Sequence, residues 1–157
     1  MTWIEFGPAG RQHGAPDFRL VSTTGETVSR VQFRQRTHLV LLFLPASLPP
    51  SAGEALQRLA AARDDLAEAS AALYALGDSS LAGRAALPLL MDAGGAVRQA
   101  YAALFPPDQR PTNAEPFAVI LDRYGAPAFI RRGLPDASAI REEFLTRVWG
   151  LEYECPE

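Results

Sequence analysis

Few residues in this chain are of a type that does chemistry, and their spacing joins them poorly. The single thiol, Cys155, sits in Tyr153-Glu154-Cys155-Pro156. Its acidic neighbours Glu154 and Glu157 raise a thiol pKa rather than lower it. One cysteine excludes an intramolecular disulfide and any metal site built from several thiolates. His13 and His38 are far apart and show no ligand spacing, so no metal or other cofactor is expected. Ser51 has no His or Asp at a spacing that would make it a nucleophile. With Glu54 three positions on, it has the spacing of a capping box instead.

Such groups need a scaffold. The 157 residues suit one domain with a full core, expected over residues 1–157. The apolar fraction is 48%, the charged fraction 21% and the net charge −3. These values argue against disorder and leave no field that would draw nucleic acid or an anionic membrane. All 15 basic residues are Arg, and they are scattered rather than clustered. No apolar run reaches membrane-spanning length and no secretory leader is visible, so a cytoplasmic location is expected.

The pattern predicts a surface arm over 1–14, then a β-hairpin over Asp17 to Val31 around Gly25. The continuous run His38 to Leu44 reads as a strand buried on both faces. The three prolines from Pro45 to Pro50 force a loop. Ser51 would cap a helix from Gly53 to Ser70. Strands are expected at Ala72 to Leu76, Leu87 to Met91, Phe117 to Leu121 and Ala126 to Arg131. Helices are expected at Ser79 to Ala86, Val97 to Leu104 and Asp136 to Trp149, with a tail over 150–157. Pro127 suits an edge or strand start. Trp3, Trp149 and Tyr153 could cluster, and Arg123, Arg131 and Arg132 are expected to be solvated. A βαβ unit followed by ββα outlines a thioredoxin-like α/β fold. It would be a three-layer α/β/α sandwich with a central mixed sheet and an N-terminal hairpin.

Several segments together resemble the peroxiredoxins, the alkyl hydroperoxide reductase and thiol-specific antioxidant family. They are Gly14-Ala15-Pro16-Asp17-Phe18, Phe33 to Phe43, Leu87-Pro88-Leu89-Leu90-Met91-Asp92 with Val97 to Tyr101, and Pro116 to Gly133. The resemblance implies a Pro-x-x-x-Thr-x-x-Cys loop at a helix N-terminus, where a thiolate attacks peroxide with help from a later Arg. Here Pro45 matches, Pro49 stands in the Thr position and Ala52 stands in the Cys position. Glu115 and Pro116 lie where the Arg should fall. A methyl group has no lone pair for the attack.

The resemblance therefore implies a degenerate relative that serves as a binding or interaction module. Its pocket would draw on Glu54, Glu115 and Pro116, the last expected in the cis form, and on the helix-terminal N–H groups beside Ser51 and Ala52. The partner would be a small molecule or protein, and the resemblance also implies a homodimer. The alternative is an antioxidant thiol oxidoreductase that uses Cys155.

Overall fold

The computed structural model describes residues 2–153. The element order is β1 (Trp3–Glu5), β2 (Arg19–Ser22), β3 (Thr27–Ser29), β4 (His38–Phe43), α1 (Pro50–Ala61), α2 (Arg63–Glu68) and β5 (Ala71–Gly77). Then come β6 (Leu89–Met91), α3 (Ala96–Ala102), β7 (Phe117–Leu121), β8 (Pro127–Arg132) and α4 (Ile140–Glu152). Eight strands form one mixed sheet in the order β1-β8-β7-β4-β5-β6-β2-β3. The strands β4, β5 and β6 run parallel, while β7 pairs antiparallel to β4. This is the thioredoxin-like α/β sandwich of the peroxiredoxin type.

Every residue of β4 and β7 is buried, as unbroken apolar runs require. Strand alternation divides their side chains between two cores. Val40, Leu42, Ala118 and Ile120 pack on one face with Leu56 and Leu59 of α1, Leu66 of α2, and Ile140, Phe144 and Val148 of α4. Leu39, Leu41, Phe43, Phe117 and Val119 pack on the other with Tyr101 of α3, Phe18 and Phe105. Phe43 and Phe117 are register partners and stack with centroids 4.5 Å apart.

Four expectations change. The residues 1–14 are not wholly an arm, because Trp3–Glu5 pairs antiparallel with β8 as the outer strand of the sheet. Strand β8 is thus an inner strand, although Pro127 does stand at its start, as expected. The long helix breaks at Ala62, where ψ moves to 6° and the amide bonds Leu59 O, giving α1 and α2. No glycine or proline marks that break. The helix expected from Ser79 shortens to one 3-10 turn, Ser79–Leu81, begun by Asp78 accepting the Ser80 amide. The final helix starts later and continues to Glu152, so residues 150–152 belong to α4 rather than to a tail.

Trp3 and Trp149 also part company. Trp3 meets Phe144 and Phe129 edge-on and donates its indole N–H to Glu143 at 2.7 Å. Trp149 stacks on Tyr153.

Candidate functional site

The loop leaving the C-terminal end of β4 carries the chain from a buried Pro45 to the head of α1. Pro49 occupies the N-cap and Pro50 the first helical position, a place where the missing N–H costs little. Ser51 is therefore not the cap. It lies inside the first turn, exposed, and no side chain caps the helix. The capping box with Glu54 does not form. Glu54 instead faces Arg58 at 3.6 Å on a well-exposed surface, where such pairs contribute about 0–1 kcal/mol.

These prolines have a chemical consequence. A helix head normally offers several free N–H groups to an anion. Here Pro49 and Pro50 offer none, and the amides of Ala52 and Gly53 both donate to Pro49 O at 3.0 and 3.2 Å. Ser51 N–H is what the first turn leaves over. The expected row of helix-terminal donors is thus reduced to a single group. Ala52, the position that the resemblance equates with the nucleophile, is buried.

A cavity of about 500 Å³ opens beside it. Pro49, Ser51, Ala52, Glu54, Ala55 and Arg58 line one side. The other side is Pro116 and the stretch from Leu134 to Ser138 that leads into α4. The structure thus brings Pro49, Ser51, Ala52, Glu54 and Pro116 together, and leaves Pro45 at a separate cleft of about 240 Å³ with Asp78, Asp92 and Arg98. Cys155 lies outside the described residues.

Pro116 is trans, since no peptide bond among the described residues is cis. Its carbonyl accepts the Gly133 amide at 2.8 Å, which fixes this turn without a cis bond. Glu115, expected in the pocket, does not line the cavity. Its carboxylate takes a two-pronged bond from Arg132, both contacts 2.8 Å, and accepts the Thr112 amide at 3.0 Å. The Arg132 guanidinium is the chief reason that the Glu115 carboxyl is pulled down to about 2.

Of the three arginines expected to be solvated, none is free. Arg132 holds Glu115, Arg123 holds Glu152 at 2.5 Å, and Arg131 lies 6.0 Å from the Trp3 ring. Sequence reasoning missed Arg98. It donates to the carbonyls of Thr112 and Glu115, sits 5.0 Å over Phe117, and pins the loop before β7. Its one legible signal was its place on the helix opened by Asp92, whose carboxylate accepts the Val97 and Arg98 amides.

The other end of β4 holds a buried ionisable group. His38 is 1% exposed, and its Nε2 lies 2.9 Å from the Glu152 carboxylate. Its Nδ1 is buried without a partner. Burial outweighs Glu152 and pushes the imidazole below its ordinary 6.5. His13 is exposed and distant from this cluster in the chain. Among the described residues, no three His, Cys, Asp or Glu side chains gather as metal ligands. No helix among them is long and apolar enough to cross a membrane.

The fold has clear relatives among solved structures. The chain is similar to the peroxidoxin BcpB of Mycobacterium tuberculosis, at 18% identity over 88% of this chain and 96% of that one, with a TM-score of 0.70. It is similar to thioredoxin peroxidase I of Plasmodium yoelii, at 19% identity over 92% and 95%, with a TM-score of 0.72. Peroxiredoxin Q of Xanthomonas campestris aligns at 16% identity over 95% and 97%, with a TM-score of 0.68. No family model and no curated protein matches the sequence significantly. The chain therefore has a peroxiredoxin-like thioredoxin fold.

Proposed function

We propose that this chain is a catalytically degenerate peroxiredoxin-like protein that uses the cleft at the head of α1 for binding rather than for peroxide reduction. One observation carries the reading: Ala52 sits in the first turn of α1, two residues after Pro50 and three after Pro49. A peroxide reductase of this fold needs a thiolate there, stabilised by N–H donors and a cation. The side chain is a methyl, two donors are replaced by prolines, and Arg132 is already committed to Glu115. The remaining cavity has a mixed wall of prolines, alanines, Leu134, Glu54, Arg58 and Asp136. That lining suits a small organic molecule or a protein side chain. Homodimer formation through helix-end loops is a companion proposal, since the outermost strands β1 and β3 are three residues each.

The test is consumption of hydrogen peroxide and of an organic hydroperoxide by the purified full chain with a dithiol reductant. The expected rate equals the protein-free background, and Cys155→Ser leaves it unchanged. A turnover well above background that Cys155→Ser removes would establish the alternative, a thiol peroxidase that works through Cys155.

A further inference from the structure

His38 stands first in β4, beside the start of the β7–β8 turn, because Leu39 and Leu121 are register partners and Asp122 follows. Its amide donates to Ser70 O at 2.8 Å, which fixes the backbone beneath the ring. Charged groups act on the buried ring from two elements. From α4 comes Glu152, whose Oε2 lies 2.9 Å from Nε2. From the β7–β8 turn come Arg123, which donates to the same oxygen, and Asp122. Asp122 is itself occupied by Arg11 and by the amides of Tyr124 and Ala126. On the other side, β5 offers uncharged Ala71 as the register partner of His38.

This arrangement fixes the tautomer. Burial works against the Glu152 charge, but the bonds from His38 and Arg123 outweigh it and keep the carboxyl below its ordinary 4.5. A carboxylate only accepts, so Nε2 carries the proton and donates. Nδ1 then keeps the bare lone pair, and it has no hydrogen-bond partner among the described residues. A second proton must go to Nδ1, where it makes a buried N–H on a cation with no acceptor. Such a donor is costly. Water can relieve it only when a covering element moves. Glu152 is the last residue of α4 and its side chain is 24% exposed, whereas β4 and β7 are buried throughout. A helix end opens at lower cost than central strands.

We infer that His38, Glu152 and Arg123 form an acid-released latch, which holds the last turn of α4 on the sheet at neutral pH and lets it open when Nδ1 takes a proton from solvent. Glu152 leaves with the helix end, and Arg123 stays on the β7–β8 turn. In the open form the imidazole regains its ordinary 6.5, while in the closed form burial holds it lower. Opening therefore binds a proton. The open population rises as the pH falls below 6.5, by at most about tenfold per pH unit, and levels off below the closed value. The latch is remote from the cleft at Ala52 and does not depend on its role.

The chain's two tryptophans report on it separately. Trp149 lies in the last turns of α4, stacked on Tyr153, and Trp3 lies in the outer strand β1. In the full chain labelled with fluorotryptophan, the Trp149 fluorine signal should shift or broaden between pH 7.5 and 5.5, and the Trp3 signal should not. Over the same interval the amides of Gly150 to Tyr153, corrected for intrinsic exchange, should lose protection by about threefold or more. They should stay at least tenfold less protected than those of Leu41 and Val119 at both pH values. His38→Gln, whose side chain does not titrate, should abolish both responses, and His13→Gln should leave both intact. A Trp149 signal indifferent to pH, helix-end amides as protected as Leu41, or a response that survives His38→Gln would each overturn the inference. Should His38→Gln fail to fold, His13→Gln decides alone, because a response lost there belongs to the other imidazole.

Discussion

The two ends of β4 differ in kind. Its C-terminal end leads to Ala52, where the first helical turn has one spare N–H and the nearest ion pair is the exposed contact of Glu54 and Arg58. Its N-terminal end begins with His38, buried against Glu152, with Arg123 on the same carboxylate. In this fold the C-terminal end is where chemistry is expected. The polar machinery of this chain instead sits where it ties α4 and the β7–β8 turn to the sheet. The buried, bonded ionisable group fastens elements together here, whereas the open cleft is lined by Pro49, Ala52 and Pro116 beside one exposed ion pair.

That contrast can be broken most forcefully from between the two ends. Phe117→Ala removes a ring that stacks on Phe43 and meets Phe105 and Arg98. Urea unfolding should show a loss of about 3–5 kcal/mol. A smaller loss would mean that the core beneath the cleft is loosely packed.

The His38 end should announce itself through pH. The folded imidazole lies below its ordinary 6.5 because burial disfavours the charged form. The unfolded chain therefore binds the proton first. Stability should be full above pH 6.5 and should fall as the pH drops from there towards the folded value. His38→Leu should flatten that part of a Tm-against-pH curve. An unchanged slope would show that Glu152 and Asp122 already accommodate the imidazolium despite Arg123.

Glu115 titrates in the opposite window. Its carboxyl is held at about 2 by Arg132 against an ordinary 4.5. Its contribution is present above pH 4.5 and lost as the pH falls towards 2. Glu115→Gln should cost on the order of 1 kcal/mol at neutral pH, given the partial exposure of both partners. The gap between the two proteins should narrow from pH 4.5 downwards and close as the pH reaches about 2. A gap that does not narrow over that range would assign the effect to the Thr112 bond instead.

The smallest expected effect lies at the cleft. Ala52→Cys should change stability by less than about 1 kcal/mol, since it adds one sulfur beside a cavity. Its thiol should titrate near the free value of about 8.5 rather than in the activated range. Alkylation rate against pH reads this directly. A pKa below about 7 would show that the α1 head still activates a thiolate, and peroxide consumption should then be measured on that variant.

Much of this was legible before any coordinates. The runs HLVLLF and FAVIL announced fully buried strands, because only a strand covered on both faces tolerates unbroken apolar character. The prolines from Pro45 to Pro50 announced the loop, since that is a local property of residue type, and the resemblance put Ala52 where it implies a cysteine. Other features were settled by partners distant in the chain. Trp3–Glu5 became a strand because β8 offered an edge, and no alternation in three residues could reveal that. The trans form of Pro116 goes with a carbonyl bonded to Gly133. Arg132 was committed to Glu115 across a turn that the sequence placed but could not orient. Strand β6 pairs with β5 only from Ala75 and Leu89 onward, just past Pro88 and the left-handed Ala86. The chain's own sequence determined which side-chain atoms stand at each position, a methyl at Ala52 among them, because that depends on residue type alone. Only the tertiary structure decided which polar groups are occupied, because that depends on distances between residues far apart in the chain.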